Sequence, residues 1–196
     1  MQIPSCKFQQ GKQVTTIVGL INIAPIASEH ILGFWRVLDV VARERKYLLL
    51  TEAPPIKAMR QSVTSNLALG NPQFVALVAG EVVGWCDICR DSVPVNAHCG
   101  SLGIGLLPAF RGQGIGRRLL NATLETADRE GFVRVELTAH AENLNAISLY
   151  ERTGFITEGV KRDAILLSGR YSDCVLMVRM NDENRTKLAN ETLASA

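Results

Sequence analysis

Apolar and polar positions recur along this chain with two different periods, and the periods separate strands from helices. Residues 14–23 form an apolar, β-branched run of strand length, read as a first strand packed on both faces. Ile31, Phe34, Trp35, Leu38, Val41 and Ala42 then recur at helical spacing behind Ser28, a candidate N-cap. Arg43, Arg45 and Lys46 lie where cations complement the end of that helix. A short apolar run over 47–51 ends at Pro54 and Pro55, and a second helix starts near Ile56 and stops at Gly70-Asn71-Pro72. Runs over 74–79 and 82–90 flank Gly80-Glu81, a two-residue hairpin signal. Residues 91–97 read as a turn, 98–107 as a strand closed by Pro108, and a further helix runs to about Glu130 with Leu120, Leu124 and Ala127 on one face. A strand over 133–139, a short helix over 145–153 stopped by Gly154, and a hairpin of 155–167 with 171–180 around Ser168-Gly169 complete the pattern. Residues 1–13 are expected as a flexible extension, 14–180 as one domain, and the polar residues 181–196 as a flexible tail.

Composition supports one compact domain. The 196 residues are 47% apolar, enough for a core at this length. With 21 basic against 19 acidic groups the net charge is +2, which excludes a polybasic nucleic-acid binder and an acidic disordered chain. Mean hydropathy is high at +0.12, yet no run of 18 apolar residues exists, so no membrane span is expected. Residues 14–27, behind Lys7 and Lys12, loosely imitate a signal peptide, but Thr15, Thr16, Asn22 and Pro25 interrupt them. Five cysteines without paired spacing do not read as a disulfide framework and point to a reducing, cytoplasmic compartment. Cys86 and Cys89 form a C-x-x-C, with His98 and Cys99 further on. Residues three apart on a strand face opposite sides, so these four do not converge on a metal and the cysteines are read as buried thiols, with no metal expected.

The chemistry concentrates in Leu106-Leu107-Pro108-Ala109-Phe110-Arg111-Gly112-Gln113-Gly114-Ile115-Gly116. A strand stops, three glycines follow within five residues, and a helix begins. Glycine admits φ > 0 and lets a ligand approach without meeting a Cβ. The free N–H groups of a helix N-terminus, with the dipole behind them, suit an anion of pyrophosphate size. Arg117 and Arg118 add cationic charge nearby. The loop lacks the Lys-Ser/Thr pair of a P-loop, and its glycine spacing is not G-x-G-x-x-G.

Arg111-Gly112-Gln113-Gly114-Ile115-Gly116 resembles the R/Q-x-x-G-x-G/A motif of the GNAT acetyltransferases, which bind acetyl-coenzyme A. Asn143-Leu144-Asn145-Ala146-Ile147-Ser148-Leu149-Tyr150 followed by Gly154-Phe155 resembles the family's second block, N-x-x-A-I-x-L-Y…G-F. The resemblance covers roughly residues 14 to 180. It implies an α/β (α+β) GNAT fold: a mixed, mostly antiparallel sheet of six to seven strands flanked by about four helices and splayed between the fourth and fifth. It also implies that a bulge in the fourth strand exposes the backbone of Gly105, Leu106 and Leu107 to acetyl-CoA. The amides of Arg111, Gly112, Gln113, Gly114, Ile115 and Gly116 would hold the pyrophosphate, Asn143 the cofactor's arm, and Tyr150 would lie near its sulfur. Family habit further implies a homodimer.

Acetyl transfer to an amine needs an oxyanion donor, for which a backbone N–H near Leu106 serves. It needs an acid for a thiolate of pKa about 8.5, for which the Tyr150 phenol serves, and a base or water chain for an amine of pKa about 10. Acetyltransferases of ribosomal-protein N-termini usually carry a glutamate base five residues before the motif asparagine; here that position is Thr138. Glu136 shares its strand face and is the catalytic fallback, with Glu52 and Asp87 as further candidates. Without the motif, Tyr150 reads as core beside Leu149 and Phe155. Asn145 is read as the helix cap and Asn143 as the ligand, His140 as a surface residue, and Trp35 and Trp85 as core. Tyr171 and Asp173 resemble a G-x-Y-x-D pattern in acetyltransferases of amino acids, polyamines and ribosomal proteins, where Asp173 would brace a loop. The expected activity is direct acetyl transfer in a ternary complex to a small primary amine such as an amino acid or amino-acid-like toxin. A protein N-terminal acetyltransferase, a non-catalytic acyl-CoA sensor and a nucleotide-binding module stay open.

Overall fold

The computed structural model describes residues 21–167 and 169–194. Its strands are β1 (Ile21–Pro25), β2 (Gln73–Val78), β3 (Glu81–Arg90), β4 (Cys99–Leu106), β5 (Arg134–His140), β6 (Ile156–Leu167) and β7 (Arg170–Met180). They form one sheet in the order β1-β2-β3-β4-β5-β7-β6, antiparallel at every step except β4–β5. The helices are α1 (Ile31–Arg43), α2 (Ile56–Ala68), α3 (Ile115–Arg129), α4 (Leu144–Glu151) and α5 (Asp182–Ala194). This is the mixed, mostly antiparallel architecture that the sequence implies, with one helix more. Among the described residues no helix is long and apolar enough to cross a membrane.

Strand alternation decides which helix covers which face. Val75, Val82 and Trp85 point to one side and meet the apolar stripe of α1 (Ile31, Phe34, Leu38, Val41) together with Met59 and Val63 of α2. Ala76, Val83, Cys86 and Ile88 point to the other and meet α3 through Leu119, Leu120 and Leu124, and α4 through Tyr150. Each large aliphatic or aromatic side chain enclosed this way contributes about 1.5–3 kcal/mol.

Between β4 and β5 only three registered pairs form, Cys99↔Arg134, Gly100↔Val135 and Ser101↔Glu136, although β4 continues to Leu106 and β5 to His140. The two strands therefore diverge beyond Ser101, and the sheet opens where the family resemblance implies. No bulge in β4 produces this opening. The β3–β4 register runs without a shift from Arg90↔Gly100 to Gly84↔Leu106, and the register shift in this part of the sheet lies instead between Ala76 and Leu77 of β2.

Several sequence expectations shift locally. The β2–β3 hairpin turns on Ala79-Gly80, not Gly80-Glu81. Both residues have positive φ, +50° and +83°, as a tight two-residue hairpin turn demands, and alanine carries no signal of that. β1 is an edge strand with Asn22 exposed rather than a strand packed on both faces, which is why Pro25 is tolerated at its end; residues 14–20 lie outside the described residues, as do 1–13. Ser28 does not cap α1. It opens a single 3₁₀ turn, and the His30 ring accepts from the Ala27 N–H through Nδ1 at 3.0 Å. The polar stretch after Met180 carries α5. Asn181 accepts from the Asn184 N–H at 2.9 Å, and the Asn184 carboxamide donates to the carbonyls of Asp128 and Phe132 at 2.8 and 2.9 Å. Asp128 in turn accepts both guanidinium arms of Arg179 at 2.8 Å, and this pairing holds the Asp128 carboxyl below its ordinary range despite partial burial.

Candidate active site

The loop between β4 and α3 forms where Pro108 stops the strand and Gly112 and Gly114 adopt φ of +72° and +77°. A Cβ added at either glycine would meet nothing within 4 Å, so the concave side is open. Within the described residues no hydrogen bond uses the backbone N–H of Gly112, Gln113, Gly114, Ile115 or Gly116. Five bare donors at the positive end of the 15-residue α3 fit a diphosphate; of the six amides that the motif points to, that of Arg111 is not among them, because it donates to the Pro108 carbonyl at 3.3 Å.

The Arg111 side chain is engaged elsewhere. It grips Glu44 with both arms, at 2.8 and 2.5 Å, donates through Nε to the Leu106 carbonyl at 2.9 Å, and lies 5.0 Å from the Tyr47 ring centroid. It thus ties the glycine loop to the loop that leaves α1. That loop is pinned further by Trp35 Nε1 donating to the Pro54 carbonyl at 2.7 Å, by Ala53 N–H donating to Asp39 at 3.0 Å, and by the Arg43–Glu52 pair at 3.3 Å. Trp35 is therefore half-buried and hydrogen-bonded, not purely core. Cutting the Arg111–Glu44 link should loosen both loops together. In a double-mutant cycle of Arg111→Ala and Glu44→Ala, urea melts should show a coupling of about 1 kcal/mol, modest because both side chains keep some solvent.

Strand pairing sorts the β4 backbone. Leu107 N–H donates to the Val83 carbonyl at 2.9 Å, and in an antiparallel ladder every second residue faces the same neighbour. Gly105 and Leu107 therefore spend their amides on β3, whereas Leu106 and Ile104 turn theirs toward the β4–β5 gap. Of the three residues that the resemblance implies, Leu106 is the one placed to present an N–H there. Gly105 contributes by its missing side chain: a Cβ would come within 2.2 Å of the Trp85 ring.

Tyr150 lies in the buried cluster under the sheet, its ring 5.9 Å from that of Phe155, and burial pushes its phenol well above the ordinary value. Asn143 is the N-cap of α4, accepting from the Ala146 N–H at 3.3 Å, so the cap role expected for Asn145 belongs to it. The Asn143 backbone N–H donates to the His140 carbonyl at 2.9 Å, while its side-chain amide nitrogen makes no hydrogen bond within the described residues. Asp173 accepts from the Asp163 N–H at 2.9 Å, bracing an irregular stretch of β6 as expected. His140 is buried, not surface, and its Nε2 lacks a partner.

The base candidates separate clearly. Glu136, at the last β4–β5 pair, is bound by Arg134 at 3.2 Å, and Arg134 also holds Glu158 with both arms. Glu52 is exposed and paired with Arg43. Asp87 on β3 instead faces a cavity of about 350 Å³ between α1, the loop after it, α2 and the strands β3 and β4. Burial pushes its carboxyl up to about 6. The cavity reaches Gly103 and Ile104, which lie just beyond the point where β4 and β5 part. Cys86 faces the opposite side of the sheet within the core, and burial pushes its thiol up. Among the described residues no three His, Cys, Asp or Glu side chains are grouped to hold a metal.

A split mixed sheet, an anion cradle at its mouth and an adjoining cavity define an acyl-carrier-dependent transferase. The model of the acetyltransferase (GNAT) family matches residues 42–155, and the chain belongs to that family. The L-amino acid N-acetyltransferase of Escherichia coli is 32% identical over 112 residues, covering 57% of this chain and 69% of the relative. The N-alpha-acetyltransferase of Mycobacterium tuberculosis is 36% identical over 92 residues, covering 46% of this chain and 55% of the relative. Among solved structures, a putative acetyltransferase from Salmonella typhimurium with acetyl-CoA superposes with a TM-score of 0.78 at 18% identity, over 82% of this chain and 93% of the other. A phosphinothricin acetyltransferase from Sinorhizobium meliloti in complex with acetyl-CoA gives 0.77 at 20% identity, over 82% and 88%. This enzyme is a GNAT acetyltransferase.

Proposed function

We propose that the enzyme transfers acetyl from acetyl-CoA to a small primary amine of about amino-acid size, by direct attack in a ternary complex. The observation that carries this reading is the row of five unused amides from Gly112 to Gly116 at the mouth of the β4–β5 gap. These amides hold the donor's pyrophosphate, the free side-chain amide nitrogen of Asn143 meets its arm, and the Leu106 N–H faces the thioester oxygen as negative charge develops on it. The amine nitrogen forms a bond to the acyl carbon as the carbon–sulfur bond breaks, and the Tyr150 hydroxyl protonates the departing sulfur. A phenol pushed up by burial stays protonated throughout the neutral range and so remains a donor there. Glu136 is already engaged in an ion pair with Arg134 at 3.2 Å. A partly open cavity of about 350 Å³ with apolar walls is of a size that suits a small acceptor.

Calorimetry with acetyl-CoA, followed by thiol release with a set of amines, tests the proposal. Wild type should bind the donor and release thiol only when an amine is added. Gly114→Val should raise the donor's Kd by about 10- to 100-fold, through both the strained positive φ and the blocked approach. No heat with acetyl-CoA at millimolar concentration, or binding without thiol release from any amine, overturns it.

A further inference from the structure

We propose that the acceptor carries its amine on an uncharged, apolar body, and that Asp87 with Gln73 forms the polar end of the cavity that receives the amine. This rests on the acetyltransferase reading above and narrows its substrate. The walls are apolar, with Phe34, Leu38, Met59, Val63 and Trp85 supplying the main surfaces, and among the described residues Asp87 is the only charged one that lines it. Among the described residues no lysine or arginine lines it, so a carboxylate carried deep into the cavity would meet no cation from them, and one borne by the amine must stay at the mouth.

Gln73 supplies an independent sign of a missing ligand. It stands opposite Asp87 in the β2–β3 register and is only 5% exposed, yet its Oε1 has no hydrogen-bond partner. A buried carbonyl left unpaired destabilises a fold by about 1–3 kcal/mol. The Gln73 side chain lines the same cavity as Asp87, its partner in the strand register, so its free oxygen and the Asp87 carboxylate form a two-acceptor site for an ammonium group. Gly103 makes room for it, because a Cβ there would lie 2.9 Å from the Asp87 carboxylate.

The same arrangement serves proton removal. Cys89, whose thiol donates toward Asp87 at 3.6 Å, is the titratable group facing it, and with burial pushing that thiol up to about 12 it stays neutral. The faces that α1, the loop after it, α2, β2 and β4 turn to the cavity carry no titratable or charged group. An apolar enclosure lowers the pKa of a bound ammonium and raises that of a carboxylate, which brings donor and acceptor closer together. Asp87 takes one proton from the ammonium, and the freed lone pair attacks the acyl carbon. The carbon–sulfur bond breaks, Tyr150 protonates the sulfur, and the second nitrogen proton restores the phenol. The sum is an ammonium and a thioester giving an amide, a thiol and one proton passed from Asp87 to water.

Thiol release should be measured with phenylethylamine and isoamylamine against ethanolamine, putrescine, spermidine and glycine, in wild type and in Asp87→Asn, Asp87→Glu and Gln73→Met. The apolar amines should exceed the polar set in kcat/KM by about 100-fold, the scale of burying one such side chain. Asp87→Asn should lose about 10²–10⁴-fold, and the acid limb of its pH profile near 6 should vanish. Asp87→Glu should restore part of the rate, and Gln73→Met should raise the amine's KM more than it lowers kcat. Acetyl-CoA affinity and melting temperature serve as fold controls. At pH 7.5 Asp87→Asn should melt no lower than wild type, because a carboxyl whose folded pKa is raised destabilises the fold above that pKa. Preference for a polar amine, or an Asp87→Asn variant with an unchanged acid limb, overturns this inference and leaves the acetyltransferase reading intact; thiol release from no amine overturns that reading instead.

Discussion

Tyr150→Phe should lower kcat by about 10²–10⁴-fold and change acetyl-CoA affinity by no more than about threefold. The ring is wedged among apolar side chains and against Phe155, so the substitution removes one oxygen and leaves the packing in place. What disappears is the proton that the departing thiolate collects. Without it the sulfur must leave as an anion in a site screened from water, and the barrier rises by roughly 3–5 kcal/mol. Because burial keeps the phenol protonated, wild-type turnover should show no decline from tyrosine ionisation in the neutral range. Steady-state thiol release across pH checks both statements, and a variant as fast as wild type at every pH eliminates the proton-donor role.

Gly105→Ala should destabilise the protein by about 1–3 kcal/mol, a large effect for one methyl group. That methyl would come within 2.2 Å of the Trp85 ring, far inside contact distance. The ring has no easy retreat: it is buried and packs against Phe34 with centroids 5.5 Å apart. Trp85 also forms one wall of the amine cavity, so whatever displacement relieves the clash should raise the amine's KM. Urea melts give the stability change, and a midpoint within error of wild type would show that the ring moves freely.

The motif loop was readable because its signal is local. Bare amides at a helix start depend on glycines within a few residues of each other, and Gly112 and Gly114 do adopt the conformations that their identity permits. Element order was readable for the same reason, since strand and helix periods are carried by neighbours. What escaped depends on distant parts of the chain. Asp87 was visible as a strand residue, but its enclosure comes from α1 and α2, whose packing onto that face no local pattern states. The Arg111 amide was expected on the pyrophosphate because it begins the motif; it turns back to the Pro108 carbonyl, and its side chain finds Glu44, 67 residues earlier. His140 is enclosed by the fold although nothing in its neighbours announces burial. Helix α5 lacks an apolar stripe and depends on the Asn181 cap and the Asn184 contacts, so periodicity was silent. The amide direction that singles out Leu106 follows from pairing parity, which needs the partner strand.

The short β4–β5 ladder has a mechanical meaning. Three residue pairs join a leaf of four strands to a leaf of three, and past Ser101 and Glu136 the described residues of β4 and β5 form no further pair. A long, flexible guest lying in that cleft would supply the missing rungs from its own amide-bearing chain and clamp the leaves together. Saturating donor should therefore shift the melting temperature upward in proportion to the logarithm of its concentration.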